Sequence, residues 1–179
     1  MEKRVDELVA SGYQARKNGR SQDAKAFFSQ AVELCRETDD KPLLARALSG
    51  LGQIERDLQN RGVAIEHYKE AVEILRSDPD RLKFAHTIRH LGDILRGDGS
   101  LDEARPCYEE ALAIYRNHKE ASPLDLANTI RGFALLRGAV GEAEESKFLW
   151  QEARGLYASV NVEAGVDESD RQIARLSAK

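Results

Sequence analysis

Long apolar runs, aromatic residues, cysteines and any large excess of one charge are all scarce in this chain. No uninterrupted apolar stretch approaches the roughly 20 residues needed to span a bilayer. The opening MEKRVDELVA lacks the apolar core of a secretory signal, so cytoplasmic residence is the expectation. A net charge of −4 at pH 7 offers no general attraction for nucleic acid, and on the groove face described below Tyr13 is the one aromatic that could stack a base. Two cysteines, Cys35 and Cys107, fall at different points of the pattern described below and make no disulfide framework. Each reads as a small filler on a helix. HExxH, a Gly-rich phosphate loop and GxSxG are all missing, and the many carboxylates fall on polar helix faces. No catalytic residue, cofactor or resident metal is therefore expected.

What the chain does contain is one pattern written four times. Three ungapped segments carry it clearly: LARALSGLGQIERDLQNRGVAIEHYKEAVEIL from Leu44, FAHTIRHLGDILRGDGSLDEARPCYEEALAIY from Phe84, and LANTIRGFALLRGAVGEAEESKFLWQEARGLY from Leu126. A weaker first copy starts near Arg4. Gly12, Gly52, Gly92 and Ala134 are spaced 40, 40 and 42 apart, and Phe28, Tyr68, Tyr108 and Trp150 keep the same spacing. So do Ala31, Ala71, Ala111 and Ala153. A period of this size marks a solenoid, in which each unit hides its apolar face by stacking on the next.

Charged residues at 32% against apolar residues at 41% suit amphipathic helices. Each copy divides into a helix A, a turn and a helix B. The turns are marked by Gly19, by Asn60 with Gly62, by Gly97 with Gly99, and by Gly138 with Gly141. Ser21 and Ser100 are candidate N-caps, the second with Glu103 in capping-box spacing. The pattern predicts helices over about 2–17, 21–37, 41–57, 61–76, 80–96, 101–117, 124–138, 142–158 and 162–177. Repeats then cover about 2–40, 41–79, 80–121 and 122–160 of a single array over 1–179. The polar ninth segment, with Ile173 and Leu176 as its apolar contacts, reads as a C-terminal cap at 162–177.

A small residue in helix A, followed by a small residue, an aromatic and an alanine in helix B (Ala64, Tyr68, Ala71; Ala104, Tyr108, Ala111), resembles the tetratricopeptide repeat. The long period and segments such as LANTIRGFALL resemble the variant of kinesin light chains. The resemblance implies an all-α, right-handed superhelical solenoid of four helical pairs plus a capping helix. It also implies that the A helices line a concave groove. Copy four departs from the pattern, with Ala134, Ser146 and Trp150 at the glycine, alanine and tyrosine positions. Members of the family that hold chaperone C-termini use lysine, asparagine and arginine at set groove positions. Here those positions read Val9, Tyr13, Gly50, His86 and His90, so that ligand is not expected.

A helical wheel locates the groove face. With the close-contact residue at 0° and about 100° per residue, positions −6, −3, +1, +4 and +5 fall on one arc. That arc carries Asp6, Val9, Tyr13, Arg16 and Lys17; then Arg46, Ser49, Gln53, Arg56 and Asp57; then His86, Arg89, Asp93, Arg96 and Gly97; then Asn128, Arg131, Leu135, Gly138 and Ala139. Cations outnumber anions on it, although the whole chain is negative. Arg16, Arg56 and Arg96 share one position in successive copies, and guanidinium groups there suit capture of carboxylates. An alternative is that these arginines pair with acids of neighbouring helices, such as Asp57 or Asp93. His86 and His90 lie one turn apart, but no second helix supplies further ligands, and ordinary surface roles are expected.

The expectation is thus a non-catalytic scaffold for another protein or peptide, with an acidic segment as its ligand and neither nucleic acid nor membrane as partner. The partner-binding residues are Tyr13, Arg16, Lys17, Arg46, Gln53, Arg56, His86, Arg89, Asp93, Arg96, Asn128 and Arg131. Two other readings stay open: a module that self-associates into homo-oligomers, and a peptide-sensing domain of a larger regulator.

Overall fold

A computed structural model describes residues 2–178, and all regular structure among them is α-helical. The elements are α1 (Glu2–Lys17), α2 (Ser21–Thr38), α3 (Lys41–Asp57), α4 (Arg61–Leu75), α5 (Arg81–Asp98), α6 (Leu101–Asn117), α7 (Pro123–Ala139), α8 (Ala143–Ser159) and α9 (Glu163–Ser177). They form two compact units, one through Thr87 and one from Ile88. In the first unit α1 packs on α2, α2 on α3 and α3 on α4. In the second, α6 packs on α7, α7 on α8 and α8 on α9.

Local chemistry explains where the helices break. The turn inside each repeat closes with a backbone N–H reaching back five residues: Arg20 to Ala15, Asn60 to Glu55, Ser100 to Leu95, and Glu142 to Arg137, at 2.8–2.9 Å. This closure needs one residue with positive φ. Gly19, Gly99 and Gly141 supply it at φ 73°, 88° and 87°, whereas the second repeat uses Gln59 at φ 67°. Gly62, Gly97 and Gly138 instead lie inside helices, which corrects their reading as turn residues.

Between repeats, Asp40 and Ser122 accept hydrogen bonds from the N–H groups of Leu43 and Asp125, each with a proline in the first helical turn. The expected caps are different. Arg20, not Ser21, precedes α2, and Ser100 precedes α6 without a side-chain bond.

The repeat period is a packing device. Phe28, Tyr68, Tyr108 and Trp150 are all essentially fully buried. A Cβ at Gly52 would stand 2.6 Å from the Tyr68 ring, and one at Gly92 would stand 3.2 Å from Cys107. Two further glycines matter equally. Gly50 faces Phe28, and a Cβ at Gly132 would stand 2.5 Å from Tyr108. Each of these two aromatics is therefore wedged between its own helix A and the next.

α9 buries Gly165 and Ser169, while Ile173 and Leu176 stay half-buried. The small residues Gly165 and Ser169 thus add to the partly buried Ile173 and Leu176 expected of the cap. Its smallest residues let it approach Tyr157, whose ring lies where a Gly165 side chain would be.

Candidate functional site

The A helices present different surfaces in the two units. In the first, α1 and α3 run their polar faces side by side. Arg46 reaches Asp6 at 2.6 Å, joining the same register position of successive repeats. Arg16 reaches Asp57 at 2.6 Å, and Arg56 stands 3.6 Å from the other oxygen of that carboxylate. These pairs are between a third and a half exposed, where an ion pair is worth little and its members can exchange partners.

Tyr13 lies between the arginines. Its ring packs edge-on against Phe28, with centroids 5.1 Å apart, yet stays 37% exposed. Burial raises the phenol above its ordinary range, and Arg46 and Arg16 pull it back in part. Lys17 is exposed and Gln53 half-buried. Four cations here face two carboxylates, around a fixed aromatic ring. Val9, on the expected arc, is completely buried and contributes nothing to the surface.

His86 is exposed on α5, within the first unit. In the second unit the expected face is largely consumed by the fold. Arg89 is only 7% exposed, so its assignment to an open groove is corrected. It donates to Asp93 at 2.9 Å and to His90 Nε2 at 2.8 Å. That bond fills one nitrogen of the His90 ring, and no group of three metal-binding side chains occurs among the described residues. The other oxygen of Asp93 accepts from Tyr108 Oη at 2.7 Å, and the same hydroxyl accepts from Arg96 at 3.3 Å. Burial, then the nearby Asp93 charge, pushes the Tyr108 phenol far upward and keeps it a donor.

On α7, Arg131 forks onto Glu168 of α9 with two bonds of 2.7 Å. Asn128 accepts from Tyr157 at 2.8 Å. The alternative raised by the sequence, arginines paired with acids of neighbouring helices, is met in both units, by Arg16–Asp57 and Arg46–Asp6 in the first and by Arg131–Glu168 in the second. The sequence reading missed Glu168 because α9 was expected to cap through apolar contacts.

Each unit also carries an Arg–Glu fork between its B helices. Arg36 of α2 grips both oxygens of Glu70 on α4 at 3.0 and 2.9 Å, and Arg116 of α6 grips Glu152 of α8 at 3.0 and 2.7 Å. The signal of these forks was legible. Arginines recur at 36, 76 and 116, and glutamates at 70, 110 and 152, in the repeat period itself.

The stacked helical pairs, the wedged aromatics and the repeating A-helix faces define a helical-repeat protein. The tetratricopeptide repeat models match residues 8–77 and 84–118, and the chain belongs to that family and to its all-α repeat class. No curated protein matches the sequence.

Among solved structures, the chain is similar to BtubC (BKLC) from P. vanneervenii, at 22% identity and a TM-score of 0.80. That match covers 88% of this chain and 64% of the other, so this chain spans less than two thirds of BtubC. It is also similar to a Podosopora anserina kinesin light chain-type protein of nearly identical TPR-like repeats. A point-substituted form of that protein matches at 17% identity and a TM-score of 0.78, covering 97% of this chain and 84% of the other. A second structure of it matches at 16% identity and a TM-score of 0.72, covering 98% and 95%. These likenesses speak to fold. Tetratricopeptide repeats generally mediate protein–protein interaction and are typically non-catalytic. No helix among the described residues is long and apolar enough to cross a membrane.

Proposed function

We propose that this chain is a non-catalytic, cytoplasmic scaffold that holds an acidic segment of another protein or peptide against the A-helix face of its first two repeats. The observation that carries the reading is the exposed surface of α1 and α3. There Arg16 and Arg46 lie close to Tyr13, Lys17 and Arg56 share the same face, and Asp6 and Asp57 pair with the three arginines. An incoming carboxylate replaces Asp6 or Asp57 at little cost, because exposed pairs are worth under about 1 kcal/mol. Tyr13, pinned by Phe28, adds a rigid platform that loses little entropy on contact. Of the three arginines that share one register position, Arg96 is a poorer probe of this reading, since it also supports the buried Tyr108 hydroxyl.

The test is fluorescence anisotropy with a labelled Glu/Asp-rich peptide and its Gln/Asn-rich counterpart. The wild-type chain is expected to bind the acidic peptide more tightly, with an affinity that falls as salt rises. Lys17→Glu/Arg46→Glu should weaken that binding at least about tenfold and flatten its salt dependence. Equal binding of the two peptides, or no loss in the variant, would remove the acidic ligand and the α1/α3 face from the account.

A further inference from the structure

Phe148 is 64% exposed on α8, more than any other large apolar side chain of the described residues. Nothing in the repeat requires an aromatic there. The same register position holds Ala26, Glu66 and Pro106 in the other copies. α8 is a packed helix whose opposite face buries Leu149, Trp150, Ala153 and Tyr157, so Phe148 is held out in a fixed position. Carboxylates flank it one turn away on either side. Glu144 and Glu145 precede it and Glu152 follows, all on the same helix, outnumbering Lys147 beside it. Glu145 leans toward Arg137 at 3.3 Å, and Glu152 holds Arg116. The surface thus offers one apolar anchor within an acidic rim, on a helix that needs no ordering before it docks.

The complementary surface is on the same chain. The α1/α3 face carries an exposed Tyr13 within a cationic rim of Arg16, Lys17, Arg46 and Arg56. Aromatic rings and guanidinium groups are favourable seats for a phenylalanine, and carboxylates match the surrounding cations. We propose that the α8 surface of one copy of this chain docks through Phe148 onto the α1/α3 face of a second copy. The inference rests on the reading of that face as a seat for acidic segments, and it names one such segment, the chain's own α8. The two patches differ, so the contact is heterologous. It leaves one unused face at each end of a pair and allows further copies to add.

Sedimentation equilibrium over a range of concentrations tests it, with three samples. Wild type should rise in mass above the 20.0 kDa of one chain as concentration increases. Phe148→Ser, which loses the anchor, and Lys17→Glu/Arg46→Glu, which loses the seat, should each stay at 20.0 kDa. None of these positions is buried, so helical circular dichroism should match wild type and confirm folding. Mixing the two variants is decisive. The first keeps the seat and the second keeps the anchor, so a one-to-one mixture should recover the mass of a pair and stop there. A wild-type mass fixed at 20.0 kDa, or a mixture that stays monomeric, overturns the inference. Anisotropy with the Glu/Asp-rich peptide on the Phe148→Ser chain separates the two claims. Binding there without wild-type association sinks only the self-docking, and no binding sinks the reading of the face as well.

Discussion

The A-helix faces of the two units occupy the same positions of the same repeat, yet their arginines are held differently, in partly exposed single contacts on α1 and α3 and in a buried contact at Arg89 or a two-bond fork at Arg131. On α1 and α3 the arginines meet carboxylates within the exposed arc, in pairs that water reaches easily. In the second unit, Arg89 is buried against Asp93, Asn128 accepts from Tyr157, and Arg131 is forked by Glu168 of the cap. A register position therefore fixes where a side chain stands but not whether it is available. Availability depends on which acids and phenols the neighbouring helices bring to it.

The sharpest way to break this contrast is to remove equivalent residues from each side. Arg89 and Ser49 share one position. Arg89→Ala removes a buried guanidinium from the half-buried Asp93 carboxylate, to which Tyr108 still donates, and should cost about 2 kcal/mol of unfolding free energy in urea. Ser49→Ala loses only a bond to the Ala45 carbonyl within its own helix and should cost less than about 0.5 kcal/mol. Equal costs would mean that the two faces are not energetically distinct.

A smaller difference is expected between two ion pairs. Arg131→Ala removes the fork that ties α9 to α7 and should lower stability by about 1 kcal/mol, with earlier hydrogen exchange in α9. Arg46→Ala should lie within about 0.5 kcal/mol of wild type, because its pair with Asp6 is half exposed.

The units should also differ in the pH at which they weaken. Glu55, only 2% exposed, is pushed upward by burial, but hydrogen bonds from Lys25 and Asn60 outweigh this and leave it below the ordinary glutamate range. A depressed carboxylate contributes stability above its unfolded value and loses it as pH falls through the folded one. Glu55→Leu, which places at 55 the residue found at the equivalent Leu95, should flatten the acid limb of a stability–pH curve. In the second unit, burial pushes Tyr157 from 10.0 up to about 12. A raised phenol contributes stability below the unfolded value and loses it as pH climbs from about 10 through the folded value. Tyr157→Phe should flatten the alkaline limb and delete one late step from an ultraviolet tyrosine titration.

A further effect of opposite sign concerns the turn that breaks the glycine pattern. Gln59→Gly should stabilise the chain by up to about 1 kcal/mol, since φ 67° costs a residue with a Cβ. The change should appear as a higher melting temperature. No gain would mean that the Gln59 side chain compensates its backbone.

The fold was legible because its signal is periodic. The spacing of glycines and aromatics located every helix to within two residues of its observed ends. The site was legible only where the surface is simple. A wheel drawn on an isolated helix cannot register the helices on either side. At its −3 position Val9 and Arg89 are buried, although the wheel places them on the open arc. The wheel also cannot see acids that arrive from 37 residues away, as Glu168 does at Arg131. The Gly50–Phe28 contact was missed for a related reason, since it joins consecutive repeats and not the two helices of one.

The most direct measurement is a heteronuclear NMR titration of the labelled chain with the Glu/Asp-rich peptide. Saturable shifts confined to the amides of α1 and α3, around Tyr13, Lys17 and Gln53, are expected, with Asn128 and Arg131 on α7 undisturbed. Shifts centred on α7, or no saturable shifts in either unit, would contradict the claim that the first unit holds the open docking face.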